Sequence, residues 1–446
     1  MTSVVDAEIY RPARHFSPKR GWMNDPNGLI RVDGLWHAFF QFYPDGTTHG
    51  PMHWGHATTP DLVTWTEQPI ALYPDSNGTC FSGSAIQTAA GDVELFYTAH
   101  RVDANGEDLQ TQCVARGSSD LLDFVKDPLN PIIPNPGLRA FRDPKVVWHA
   151  LTQRWIMVLT HGQSIGFYSS PNRRHWSLES TFGEGHGRHS TGPWECPDLI
   201  EMLGPDGKTR WVLIVGIGDG AFAGGSGTQY FVGDFDGRRF ENANAPDVSL
   251  WLDHGRDYYA AQSFSGAGDR PPTLLAWASN WQYARQTPTR NFRGSFALPR
   301  ELRLLETGVG LRLAAEIPAG VAEHFDELRL VDDSAVPQSG TYRLSLPLAG
   351  SQSLSVALFS ESVPQIEIQR PINGPPMMRL RRSSPHEMVG FDHDYLVPLT
   401  LTSDPSTLEI FVDNGLVEVC MDGGLVWATS LNFPANPAGR VRLSTS

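Results

Sequence analysis

A recurring unit limits the fold of this chain more than any other feature. A turn followed by an aromatic residue returns four times. "TPDLVTW" ends at Trp65, "SSDLLDF" at Phe124, "SPNRRHW" at Trp176 and "FDGRRF" at Phe240, at intervals of 59, 52 and 64 residues. Between these points lie apolar stretches bounded by turn formers, among them "LWHAFFQFY", "DVELFYTAH", "RWIMVLTHG", "RWVLIVGIG" and "PTLLAWASN". Apolar residues at a period of two mark half-buried strands. About four strands in each repeat of roughly 50–60 residues is the pattern of a β-propeller blade. Residues 15–300 have room for about five such blades. Regularly spaced strands also occur in sandwiches, and it is the returning turn-plus-aromatic unit that favours the propeller. The 43 glycines, 34 prolines and 10% aromatic residues agree with an all-β chain of short strands and many turns.

After "PREL", Pro299 to Leu302, the texture changes. A connector-like stretch is followed by short alternating strands, "GTYRLSLPL", "SLSVALF", "QIEIQR", "STLEIFVD", "LVEVCMD" and "GRVRLSTS". The tight turns "DNG" and "DGG" are hairpin signals. The chain thus reads as a five-bladed β-propeller over residues 1–302, a linker over 303–320 and a C-terminal β-sandwich over 321–446. The sandwich shows no grouping of acids or histidines beside tryptophan that would make a site of its own.

The formal net charge is −14, and no long run of Lys or Arg occurs. Nucleic-acid binding requires a positive face, so a nucleic-acid partner is not expected. The four cysteines, Cys80, Cys113, Cys196 and Cys420, are widely spaced and make no zinc-type pair. No stretch is long and apolar enough to span a bilayer, so no membrane partner is expected. The first residues, "MTSVVDAEIYRPARHFSP", lack the apolar run of a signal peptide. The expectation is a cytoplasmic protein, or a secreted one if a leader precedes this sequence.

Three carboxylates stand in unusual settings, each in a different repeat. They are Asp25 in "WMNDPNG", Asp143 in "FRDPKV" and Glu195 in "WECPDL". An isolated Asp-Pro is usually a turn. Contributed by three blades whose inner strands converge, the three acids would instead form one cluster. Two carboxyl groups flanking a glycosidic bond are the equipment of glycoside hydrolysis: one ionised, one protonated to protonate the leaving oxygen. A third acid raises the pKa of the proton donor and holds sugar hydroxyls. Trp22, Trp54, Trp194 and Trp281 suit stacking on sugar faces, though Trp54 and Trp194 taken singly read as core.

"WMNDPNGL", "FSGSA", "FRDPKV" and "WECPDL", in this order, resemble glycoside hydrolase family 32, which contains invertases, exo-inulinases and levanases. The resemblance runs through "MHWGHATTPDLVTW", "GGSGTQYFVGDFDG", "SNWQYA" and "FRGSFALPREL" to "LEIFVDNGLVEV", and its texture is that of the exo-acting levanase and inulinase branch. It implies the same propeller and sandwich, and a retaining mechanism. Asp25 would be the nucleophile, Glu195 the general acid/base and Asp143 the transition-state stabiliser. A covalent route asks that the Asp25 and Glu195 carboxyls lie about 5–5.5 Å apart. Trp22, Asn24, Gln41, Phe81, Ser82 and Arg142 match positions lining the fructose site, and Trp281 is a further candidate. "DHGRDYY", Asp253 to Tyr259, is expected to shape the site beyond the cleaved bond. No metal or organic cofactor is implied. One departure is visible: the family usually has tryptophan where His49 stands.

The resemblance therefore implies an exo-β-fructosidase acting on levan, inulin, fructo-oligosaccharides or sucrose, working as a monomer or homodimer. Three alternatives stay open: a fructosyltransferase or difructose-anhydride former, a sucrose-6-phosphate hydrolase, and a catalytically silent sugar-binding propeller. A phosphorylated substrate would call for a basic rim, for which Arg101, Arg256 and Arg285 are the candidates.

Overall fold

The computed structural model describes residues 7–348, 353–370, 375–391, 394–399 and 406–445. Five inner strands organise the first two-thirds of the chain: β1 (Gly21–Val32), β2 (Thr79–Gln87), β3 (Phe141–His149), β4 (Trp194–Leu203) and β5 (Tyr259–Ser263). Each begins an antiparallel sheet of at least four strands. Each inner strand packs against the next, and β5 returns to β1, so the five sheets close into a ring. Phe292–Arg293, from the fifth blade's segment, pairs in parallel with Gly21–Trp22 and ties the last blade to the first. Closure in this way leaves each blade only short edges open to pairing.

The repeat aromatics explain why the unit recurs. Each packs against the blade before its own. Trp65 meets Phe296 at 6.2 Å, Phe124 meets Phe39 at 5.3 Å, Trp176 meets Phe96 at 6.3 Å and Phe240 meets Phe182 at 5.1 Å. Covering such side chains stabilises each blade junction by about 1.5–3 kcal/mol. The inner strands are buried on both faces, which is why stretches such as "GWMNDPNGLI" show no alternation.

The boundary expected at Leu302 falls inside the fifth blade. Arg300–Thr307 and Gly310–Glu316 form a hairpin that completes the sheet of β5 and Thr273–Trp277. The expected linker over 303–320 is therefore mostly blade, followed by the short helix Ala319–Ala322. The fifth blade needs both strands to match its neighbours, and the "ETGVG" turn that joins them looked like the break in a connector.

The sandwich packs two sheets. One contains Thr341–Leu348, Ser406–Asp413, Leu416–Met421 and Val426–Leu431; the other contains Val441–Thr445, Leu354–Ala357, Ile366–Gln369, Met377–Leu380 and Tyr395–Pro398. Its junction with the propeller is a buried charge network. His15 lies 2.8 Å from Asp413 and 3.1 Å from Glu418, and Arg300 lies 2.6 Å from Glu418 and 2.9 Å from Asp253. Among the described residues no helix is long and apolar enough to cross a membrane.

Candidate active site

All five inner strands carry an extra residue relative to their neighbours at one level of the ring. The register slips between Met23 and Pro26, Phe81 and Gly83, Arg142 and Lys145, Glu195 and Asp198, and Tyr259 and Gln262. These are β-bulges, which re-aim side chains that a regular strand would send elsewhere. Proline cannot donate to a ladder, so Pro26, Pro144 and Pro197 fit at a bulge and not in a central strand. Asp143, Cys196 and Ala260 adopt left-handed φ values of 62°, 48° and 53°. Such conformations are costly for residues with a side chain and gather at functional sites. Gly83 has its own reason: a Cβ there would come 1.9 Å from the Phe96 carbonyl oxygen.

The bulges bring the three acids together at the mouth of the ring. Asp25 accepts hydrogen bonds from Ser82 Oγ (2.6 Å), Asn24 Nδ2 (3.0 Å) and Cys196 Sγ (3.4 Å). Asp143 Oδ2 accepts the Cys196 backbone N–H at 2.9 Å, and the same thiol lies 3.6 Å away. The Asp143 N–H is itself held by Thr98 Oγ1 at 2.9 Å. Glu195 is gripped from two sides: Arg142 Nη2 donates to Oε1 at 2.6 Å and the Tyr259 hydroxyl donates to Oε2 at 2.6 Å. Arg142 also lies 3.8 Å from Asp143, so one guanidinium serves two acids.

The electrostatics follow from burial. Asp25 is pushed above its usual range first by burial and then by the charge of Glu195, against the pull of the Ser82 and Asn24 donors. Burial pushes Asp143 up to about 7, with Arg142 opposing and Glu195 and Asp25 adding to the rise. The Cys196 thiol and the Tyr259 hydroxyl are raised well above their usual values, by burial and then by the acids around them. Both therefore stay protonated and act as donors.

Of the residues expected at the site, Asn24, Asp25, Phe81, Ser82, Arg142, Asp143, Glu195 and Trp281 gather around this cluster. Trp22 is fully buried; it acts through its indole N–H, which donates to Asn24 Oδ1 at 2.7 Å, and supports Trp281 from below at 6.0 Å. Gln41 stands one layer back, where its amide donates to the Cys80 carbonyl at 2.9 Å and steadies the strand carrying Phe81 and Ser82. Phe81 stacks on His100 at 4.3 Å. Trp54 and Trp194 are buried outside the site: Trp54 donates to the Phe81 carbonyl, and Trp194 stacks on His189.

His49 sits among Trp22, Phe81 and Trp281 at 5.9–6.4 Å. Burial, then the charges of Arg285 and His100, hold its pKa down to about 4, so the ring is neutral near pH 7. The residues of "DHGRDYY" divide between two tasks. Asp253 and Asp257 face the sandwich, Arg256 is buried against the Ala223 carbonyl, and only Tyr259 enters the site. Arg256 is thus no rim residue. Cys196 and Thr98 are site residues that sequence reasoning missed. For Cys196 the signal was its place between Glu195 and Pro197.

The N-terminal domain model of glycosyl hydrolases family 32 matches residues 15–314, and the C-terminal model matches residues 343–446. The chain is 45% identical over 317 residues to a levanase of Bacillus subtilis, a match that covers 69% of this chain and 46% of the levanase. It is 32% identical to an extracellular exo-inulinase of Aspergillus niger, covering 97% of this chain and 91% of that protein. In three dimensions it superimposes on the crystal structure of an exo-inulinase from Aspergillus awamori with a TM-score of 0.88 and 30% identity, over 98% of this chain and 95% of that one.

Proposed function

The chain belongs to glycosyl hydrolases family 32, and we propose that it is a retaining exo-β-fructosidase. In this reading it removes terminal, non-reducing β-fructofuranosyl units from levan- and inulin-type fructans, fructo-oligosaccharides and sucrose. The observation that carries the reading is the meeting of Asp25, Asp143 and Glu195 on three separate bulged strands, each held by its own donors.

The chemistry follows from these contacts. Ser82, Asn24 and Cys196 hold the Asp25 carboxylate in one orientation, as attack on the anomeric C2 requires. Glu195, steered by Arg142 and Tyr259, gives its proton to the leaving oxygen as the C2–O bond breaks. A fructosyl ester on Asp25 results. Glu195 then takes a proton from water, whose oxygen attacks C2 and frees Asp25. Among the described residues Asp143 Oδ1 has no protein partner, which leaves it to hold fructose hydroxyls while Cys196 fixes Oδ2.

The test is fructose release from levan, inulin and sucrose side by side, with Asp25→Asn and Glu195→Gln as blanks. Steady release of fructose that vanishes in both variants upholds the reading. Release that persists in them removes these acids from the reaction, and oligosaccharide products larger than the substrate make the enzyme a transferase.

A further inference from the structure

Beside the catalytic acids runs a glycine-rich loop with no role in the chemistry above. It joins the second and third strands of the fourth blade, Thr209–Ile217 and Gly227–Phe235. Those strands are antiparallel to their neighbours, so the loop emerges on the face where β4 begins and Glu195 lies. Its first residue touches the site: a Cβ on Gly218 would lie 3.5 Å from Glu195 Oε2. Four residues on, the loop presents Phe222, a residue 38% exposed. Four residues reach at most about 14 Å, so the Phe222 Cα stands within that distance of the Gly218 Cα, which itself borders Glu195.

An exposed phenyl ring on a loop needs a reason, and a rigid footing makes it useful. Phe222 is braced edge-on by His254 at 5.0 Å and 83°. The loop closes on itself through Ala221 N–H to the Gly225 carbonyl (3.0 Å) and Gly224 N–H to the Ala221 carbonyl (3.0 Å). Arg256 Nη1 donates to the Ala223 carbonyl at 2.9 Å, and Asn280 Nδ2 donates to the Gly224 and Ser226 carbonyls at 3.3 Å each. Gly225 is required by this packing, since a Cβ would come 2.2 Å from Asn280 Oδ1. Ala223 packs into the apolar cluster of the sandwich, and the His254 N–H donates to the Trp427 carbonyl at 2.7 Å. The loop is held by both domains, while Phe222 itself stays exposed.

We infer that Phe222 is a stacking platform for the leaving chain of an oligomeric or polymeric fructoside, held in place by the sandwich. Sugar C–H faces stack on aromatic rings, and a ring braced before binding loses little entropy when it does so. The fructosyl unit that is cleaved sits with Asp25, Ser82 and Asn24. The leaving oxygen lies at Glu195, so a loop that begins at Glu195 borders the departing chain. The inference assigns the ring to the second and third units beyond the cleaved bond, past the single glucose of sucrose. This inference rests on the exo-fructosidase reading and adds to it a preference for longer chains, with a residue that creates the preference.

The experiment measures kcat/KM of the wild type, Phe222→Ala and Phe222→Trp on sucrose and on inulin-type oligosaccharides of rising length. A parallel set in the Asp25→Asn background measures binding of the same sugars by calorimetry. Expected is a loss of about threefold to tenfold in Phe222→Ala on tetrasaccharides and longer, carried in KM, with sucrose unchanged and Phe222→Trp restoring the loss. Weaker calorimetric binding of long chains, again with sucrose unchanged, is the matching result. Equal effects on sucrose and long chains, or no effect on either, overturn the inference. If the wild type releases no fructose at all, the catalytic reading fails, and the binding series still decides the platform. Matching thermal transitions of the variants separate a lost platform from a damaged fold.

Discussion

The Tyr259 hydroxyl donates to Glu195 Oε2 at 2.6 Å, from a neighbouring blade and across the bulge that turns both side chains into the ring. Tyr259 has no other hydrogen-bond partner for that hydroxyl among the described residues. Its task is to hold one carboxylate oxygen while Arg142 holds the other. Tyr259→Phe keeps the ring and removes the donor. Hydrogen bonds to charged groups contribute about 1.5–3 kcal/mol, so kcat is expected to fall by about 10-fold to 100-fold. Steady-state kinetics on sucrose check this, with KM changing less than kcat.

Asp143 is a carboxyl whose burial opposes its charge. Its folded pKa stands near 7, above the unfolded value of 3.8. Between these values the folded state binds more protons than the unfolded one, so this group's contribution to stability falls as pH rises through the window. Asp143→Asn removes that cost. The variant is expected to melt higher than the wild type at pH 7.5, by a few degrees for each kcal/mol regained, with the difference shrinking toward pH 4. Calorimetric melting at pH 4, 6 and 7.5 gives the answer, and activity is expected to be lost.

His15 shows the opposite sign. Burial alone would lower its pKa, but the hydrogen bonds and charges of Asp413 and Glu418 raise it to about 9. The ring is therefore an imidazolium donating to both acids at neutral pH. Its stabilisation is complete below the unfolded value of about 6.5 and is lost as pH rises through about 9. His15→Gln leaves two buried acids short of a cation, a loss on the order of 3–5 kcal/mol. The gap in melting temperature between wild type and variant is expected to be large at pH 6 and small at pH 9.5.

His49 makes no hydrogen bond among the described residues, although three aromatic rings surround it. Because its pKa is held down to about 4, the neutral ring can donate and accept above pH 5. His49→Phe preserves the apolar wall and removes both nitrogens. A hydrogen bond to a substrate hydroxyl is worth about 0.5–1.5 kcal/mol, so KM for sucrose is expected to rise about twofold to tenfold with kcat little changed. An unchanged KM at pH 6 makes His49 a wall and nothing more.

The sequence carried the blades because four of the five repeat a local instruction: alternating apolar residues, a turn, then an aromatic that covers the blade before it. It carried Asp25, Asp143 and Glu195 because each stands among aromatic and turn residues in its own repeat, and because the surrounding strings are long enough to identify a family. Where the signal was local but weak, the reading slipped. The Arg300–Glu316 hairpin passed for a linker, since its turn residues resemble those of a connector.

Other relationships have no local signature at all. Tyr259 lies 64 residues from Glu195, and Arg142 and Asp143 each lie 53 residues from the Glu195 or Cys196 atoms they meet. Asp253 and Asp257 occupy a stretch that reads like site material, yet they bond to the sandwich more than 170 residues on. The sequence by itself determined the repeat and the acids, because those depend on chemistry within a few residues. Ring closure decided the rest. It sets which bulge faces which, which acid Tyr259 and Arg142 serve, and whether Trp22 presents a face or a single N–H. Those outcomes depend on distances across the ring, which exist only once the fifth blade has met the first.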